Sequence, residues 1–134
     1  MLTHLLDTSV YSQRLRPKPL PEVVRRWRKV GDQRLCISAI CEAEIRYGLT
    51  KRGSERLWTE YRQFLEHQLV VLPVDKPVAD RYGELKTELE EAGLPRAEFD
   101  LLIAATALHH NLILATCNLK HFANIPGLRV EDWR

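Results

Sequence analysis

Four acidic residues in this chain stand where apolar sequence begins, ends or is interrupted. Asp7 closes the short run HLL, Asp100 opens LLIAATAL, and the segment ISAICEAEIRYGL carries Glu42 and Glu44. Thr116 and Asn118 follow a fourth apolar run, LILA. Carboxylates gathered without basic partners repel one another and raise one another's pKa. A hard divalent cation, Mg²⁺ or Mn²⁺, resolves that conflict, because it takes oxygen ligands from one or two carboxylates, water and substrate phosphate. So held, it can activate a water against a phosphodiester. Each acid also has a local explanation. Asp7 can cap the helix that follows it, and either Glu98 or Asp100 can serve as the favourable acid of a helix start. Glu42 and Glu44 are two residues apart and point to nearly opposite sides of a helix. Ile40, Ala43 and Tyr47 flank Glu44, whereas Ile45 and Leu49 lie on the side of Glu42, so periodicity does not choose between them.

The elements that must position these residues are short apolar strands and amphipathic helices. Strands are expected at Thr3 to Leu6, Leu35 to Ile37, Leu69 to Val74 and Leu112 to Ala115, with a last edge strand at Leu128 to Val130. Pro21 and Gly31 bracket a helix over Glu22 to Val30, and Ser38 caps a helix from Ala39 to about Thr50. Further helices follow over residues 54 to 67, over Val78 to Ala92 and over Leu101 to Leu108, the last of them core-grade. The order β-α-α-β-α-α-β-α-α-β-β makes this an α/β chain with a parallel sheet covered on both faces. In such sheets the ligand crevice lies beyond the carboxyl ends of the strands. Asp7 and residues 116 to 118 fall at that edge. Asp100 and Glu44 fall near the starts or inner faces of helices that pack there.

At 134 residues the chain is one domain, large enough for a real core, with ordinary hydrophobic (45%) and charged (28%) content. The stretch MLTHLLDTSV has neither the basic nor the apolar region of a signal peptide, and no run approaches a membrane span. Cys36, Cys41 and Cys117 lack metal-site spacing, so a cytoplasmic protein with reduced thiols is expected. The net charge of +2 hides an asymmetry: residues 1 to 67 hold thirteen Lys/Arg against eight Asp/Glu. Between Arg14 and Arg34 there are eight basic residues and only two acids, Glu22 and Asp32, which suits a polyanionic partner.

The stretches LLDTS, ISAICEAEIRYGL, FDLLIAATAL and ILATCNLKHF, and the ending IPGLRVEDW, together resemble the PIN-domain ribonucleases, most closely the VapC-type toxins of bacterial toxin–antitoxin pairs. The resemblance covers essentially the whole chain. It implies a single PIN-like domain over residues 1–134, a three-layer α/β/α fold with a central, mostly parallel sheet of four to five strands. It also implies a metal-dependent endoribonuclease acting on RNA, often tRNA, that forms a homodimer and is neutralised by a cognate VapB-like antitoxin. Matched residue by residue, the family's acids fall on Asp7, Glu44 and Asp100 as ligands of Mg²⁺ or Mn²⁺, so the resemblance decides for Glu44 over Glu42. A fourth position, often Asp, is Asn118 here, which leaves only a neutral amide and argues for one firmly bound ion. Thr8 and Thr116 match supporting hydroxyls that orient water or phosphate, and Glu98 would lie beyond direct contact with the ion.

Other readings compete. An aspartyl-phosphate phosphatase would use Asp7 as nucleophile, but the second Asp of its D-x-D pattern is Ser9 here. A phosphoacceptor domain needs an acid pair that the N-terminus does not supply. A non-catalytic RNA- or antitoxin-binding module of the same fold draws support from Asn118. The scattered histidines, His109, His110 and His121, carry no assigned role, and Trp27, Trp58 and Trp133 read as core or dimer-contact residues.

Overall fold

The computed structural model describes all 134 residues. Five strands form one sheet: β1 (His4–Leu6), β2 (Leu35–Ser38), β3 (Val70–Leu72), β4 (Ile113–Thr116) and β5 (Val130–Asp132). Their order is β3-β2-β1-β4-β5 and every neighbouring pair is parallel, so the sheet is wholly rather than mostly parallel. The last strand begins at Val130, two residues later than expected, because the turn at Gly127 (φ 77°) and a bond from Leu128 N to the Ile125 carbonyl occupy the preceding stretch. The third strand is likewise shorter than Leu69 to Val74.

Side chains alternate across the sheet, as the two-residue period of a strand requires. Leu6, Leu35, Ile37 and Ala115 enter one core, and Leu5, Cys36 and Leu114 enter the other. The first core is closed by α1 (Thr8–Tyr11), α2 (Pro21–Val30), α3 (Ala39–Arg52) and α4 (Glu55–Phe64). It buries Trp133, Tyr61, Tyr11 and Trp27. The second core is closed mainly by α5 (Lys76–Glu91), α6 (Glu98–His109) and the short α7 (Leu119–Phe122), and buries Leu101, Ile103 and Phe122. The result is the expected three-layer α/β/α arrangement.

Trp27 and Trp133 are core residues, whereas Trp58 is only partly buried and lies beneath the guanidinium groups of Arg46 and Arg62. In α3 the buried stripe is Cys41, Ile45 and Leu49, and Tyr47 is exposed. Of the apolar flank expected around Glu44, Ile40 packs against the second core, whereas Ala43 and Tyr47 are exposed. The sequence order turns back beside β1: the chain passes outward through β2 and β3, then returns to add β4 and β5 on the other side. Loops leaving β1 and β4 diverge at such a reversal and open a crevice at their carboxyl ends. No helix is long and apolar enough to cross a membrane, and all three cysteines are free.

Candidate active site

Asp7 leaves β1 at the sheet reversal and is only 4% exposed. Its cap role and its place in the crevice coexist. Oδ1 accepts from the Val10 amide at 3.1 Å, which caps α1, and from Ser9 Oγ at 2.6 Å. Oδ2 accepts from Thr116 Oγ1 at 2.6 Å. Both hydroxyls are fixed by the loop beyond β4. The Asn118 amide donates to Thr116 Oγ1 at 2.8 Å, and the Cys117 amide donates to Ser9 Oγ at 2.9 Å. Two relays thus clamp one carboxylate from the ends of β1 and β4. Burial raises the Asp7 pKa; the hydrogen bonds from Ser9, Thr116 and Val10 oppose that rise, and the Asp100 charge adds to it.

Glu44 reaches the same edge from α3. Its Oε1 accepts from Thr8 Oγ1 at 2.6 Å. Glu42 makes no such contact, so the tertiary structure gives an independent reason to prefer Glu44. Thr8 and Thr116 both donate their hydroxyl protons to carboxylates.

Asp100 lies in the first turn of α6, half-buried, and neither it nor Glu98 caps that helix with its side chain. Asp100 Oδ2 lies 3.3 Å from His121 Nδ1. Burial raises its pKa, while His121 and the nearby Arg96 charge pull it down. Glu98 points away and pairs with Lys86 at 3.1 Å. His121, to which the sequence assigned no role, belongs to α7, and the only sequence signal for its position is that LKHF can form a single helical turn after Asn118. Ser9, which the sequence singled out as the residue replacing the second Asp of a D-x-D pattern, was signalled by its hydroxyl beside Asp7 in the DTS triplet. Asn118 starts α7 with its side chain exposed and uncommitted, and contributes its backbone amide.

Asp7 and Glu44 have no Lys, Arg or His within ion-pairing distance, although Asp7 is deeply buried. A buried carboxylate of this kind requires a counter-charge or a proton. The acidic donors at this edge, Asp7, Glu44 and Asp100, offer carboxylate oxygens, which fits Mg²⁺ or Mn²⁺ rather than a softer metal. No three acidic, His or Cys side chains converge into a closed ligand cluster. The donor set therefore suits an ion that keeps much of its own water, as Mg²⁺ does.

Beside Glu44 and Thr8 opens a cleft of about 400 Å³. Leu15, Ile45, Leu49 and Leu57 make its apolar side, and Arg16, Arg52 and Arg56 line it as well.

The family profile described as "PIN domain" matches residues 4–128. This chain belongs to the PIN-domain family. Among its PIN relatives is the tRNA(fMet)-specific endonuclease VapC of Salmonella typhimurium, 35% identical over 134 residues that cover 99% of both chains. Ribonuclease VapC2 of Haemophilus influenzae is 34% identical over the same span, again 99% of both chains. The fold superimposes on the crystal structure of DNA-bound VapBC from Salmonella typhimurium with a TM-score of 0.88 at 32% identity, covering all of both chains. Within the PIN family the chain thus groups with the VapC-type ribonucleases.

Proposed function

We propose that this chain is a metal-dependent endoribonuclease of the VapC toxin type, hydrolysing phosphodiester bonds in RNA, with tRNA as the substrate class. The observation that carries the reading is the doubly clamped, cation-free Asp7 carboxylate at the sheet reversal, with Glu44 and Asp100 at the same edge. These three side chains would hold Mg²⁺ or Mn²⁺ largely through the ion's own waters. When bound, the ion supplies positive charge to the scissile phosphate and lowers the pKa of a water. The chain's own residues do the positioning. Ser9 and Thr116 hold both oxygens of Asp7 in place, so little of its orientation has to be found when substrate arrives. Thr8 does the same for Glu44, and His121 sits against Asp100. The exposed Asn118 amide is available to phosphate or ribose oxygens, and Arg16, Arg52 and Arg56 can meet the backbone of a strand lying in the cleft.

The VapBC solved relative supports a VapB-like antitoxin as partner. The family resemblance adds the rest: the antitoxin would mask the acidic edge, the working unit would be a homodimer, and the compartment would be the cytoplasm. The competing reading is a non-catalytic binding module, favoured by the neutral Asn118 and by carboxylates that do not close into one cluster. One experiment separates them: cleavage of total bacterial tRNA by the purified protein in Mg²⁺ and in EDTA, beside Asp7→Asn. Discrete fragments that require metal and vanish in the variant are expected. Intact RNA with both proteins, on tRNA and other RNAs alike, would leave only the binding module.

A further inference from the structure

The basic stretch between Arg14 and Arg34 does not form one surface. Arg16 lines the cleft beside Glu44 and Thr8, but the cations of α2 face elsewhere. Arg25, Arg28 and Lys29 stand at i, i+3 and i+4, which puts them on one outward face. Arg25 and Lys29 border two open hollows of about 570 Å³ each, and Arg28 lines the first of them. Arg34 extends the second hollow toward the amino ends of the strands, where it lies beside Thr3 and Ile113. We propose that this α2 face is a second RNA-binding surface, a grip on the phosphate backbone away from the carboxylates; the inference rests on the ribonuclease reading above.

Three observations carry it. First, three of the cations are free, although Arg25 and Arg26 are paired. Glu22 is shared by Arg25 and Arg26, and Glu131 is engaged by His4 and Trp133, but Arg28, Lys29 and Arg34 have no acid within ion-pairing distance. Asp32, the one other acid of this stretch, accepts from the Trp27 indole at 2.7 Å. Second, the face has no exposed large apolar side chain; those of this protein lie elsewhere, at Tyr47, Phe64, Val70 and Phe99 among others. A docked peptide or a membrane surface would need apolar anchors. A polyphosphate needs only cations. Third, the geometry leads to the site. In a right-handed parallel crossover the helix runs back from the carboxyl to the amino edge of the sheet, so α2 descends from the Arg16 side of the cleft toward Arg34. Its ten residues span roughly 15 Å, enough to meet successive phosphates of one strand.

The test measures binding in EDTA by fluorescence anisotropy, with labelled tRNA and the full-length Asp7→Asn protein, across a salt series. The variant is Arg28→Gln/Lys29→Gln/Arg34→Gln in that background, and Lys76→Gln/Arg81→Gln on α5 is the control for lost charge. The triple variant should bind tRNA on the order of a hundredfold more weakly at 0.1 M salt, with the salt slope smaller by about three. The control should hold both values, and an RNA of a few nucleotides around the cut should bind parent and triple variant alike. A folded triple variant (by circular dichroism) with unchanged tRNA affinity and slope overturns the proposal. So does equal loss on the short RNA, or loss of antitoxin pairing with tRNA binding intact. Because binding is read without metal, failure here is distinct from failure of the cleavage assay.

Discussion

Thr116→Val isolates the clamp on Asp7. Valine keeps the branched shape and the strand preference of the residue, so β4 should form as before. What it removes is the hydroxyl that donates to Asp7 Oδ2 at 2.6 Å and accepts the Asn118 amide at 2.8 Å. Thr116 is fully buried, so water cannot readily replace that donor. A hydrogen bond to a charged group contributes about 1.5–3 kcal/mol. The variant should therefore lose stability of that order near neutral pH, which for a domain of this size lowers Tm by on the order of 5–15 °C. If the same contact also holds Asp7 in the transition state, RNA cleavage should fall roughly 10- to 100-fold. Thr116→Ser keeps the hydroxyl and should restore most of the rate. Calorimetry and a single-turnover cleavage assay read the two effects. A valine variant that melts within about 2 °C of the parent and cleaves within about twofold of it, margins well inside the lost-bond estimate, would refute the clamp.

Mg²⁺ or Mn²⁺ at ten times its Kd should stabilise the parent by about 1.4 kcal/mol in thermal melts, and Asp7→Asn should not respond. Trp133→Ala removes a fully buried indole from the first core, so it should cost about 3–5 kcal/mol, read as a collapse of Tm. Burial pulls the Glu131 pKa up, but the hydrogen bonds from Trp133 and His4 and the charges of His4 and Arg26 outweigh it and leave the group below its ordinary 4.5. A lowered carboxylate stabilises the fold above that ordinary value and loses the contribution as pH falls through the folded pKa. The stability gap between parent and Glu131→Gln should therefore be widest near neutrality and close below pH 4.5; a gap that widens in acid would contradict the assignment.

Hydropathy and punctuation made much of this protein legible in the sequence. Strands of three or four apolar residues can alternate only between two covered faces, so a parallel three-layer fold followed from runs such as HLL and LCI with helices between them. The positions of Asp7 and Thr116 followed too, because each ends a strand and parallel strands end at one edge. The choice of Glu44 did not follow from periodicity. Both glutamates of α3 flank apolar residues; the family resemblance favoured Glu44, and in the fold the Thr8 hydroxyl, brought across from α1, bonds to Glu44 alone. Ser9 and His121 belong to the same class. Their partners lie 108 and 21 positions away in the chain, in the Cys117 amide and the Asp100 carboxylate. The split of the basic stretch was equally invisible, since charge density along a sequence carries no direction. Local pattern thus determined which residues lie at the edge. Tertiary structure alone decided which of them touch, because a hydrogen bond is set by distance and angle in space, and sequence spacing constrains those only within one helix or one strand.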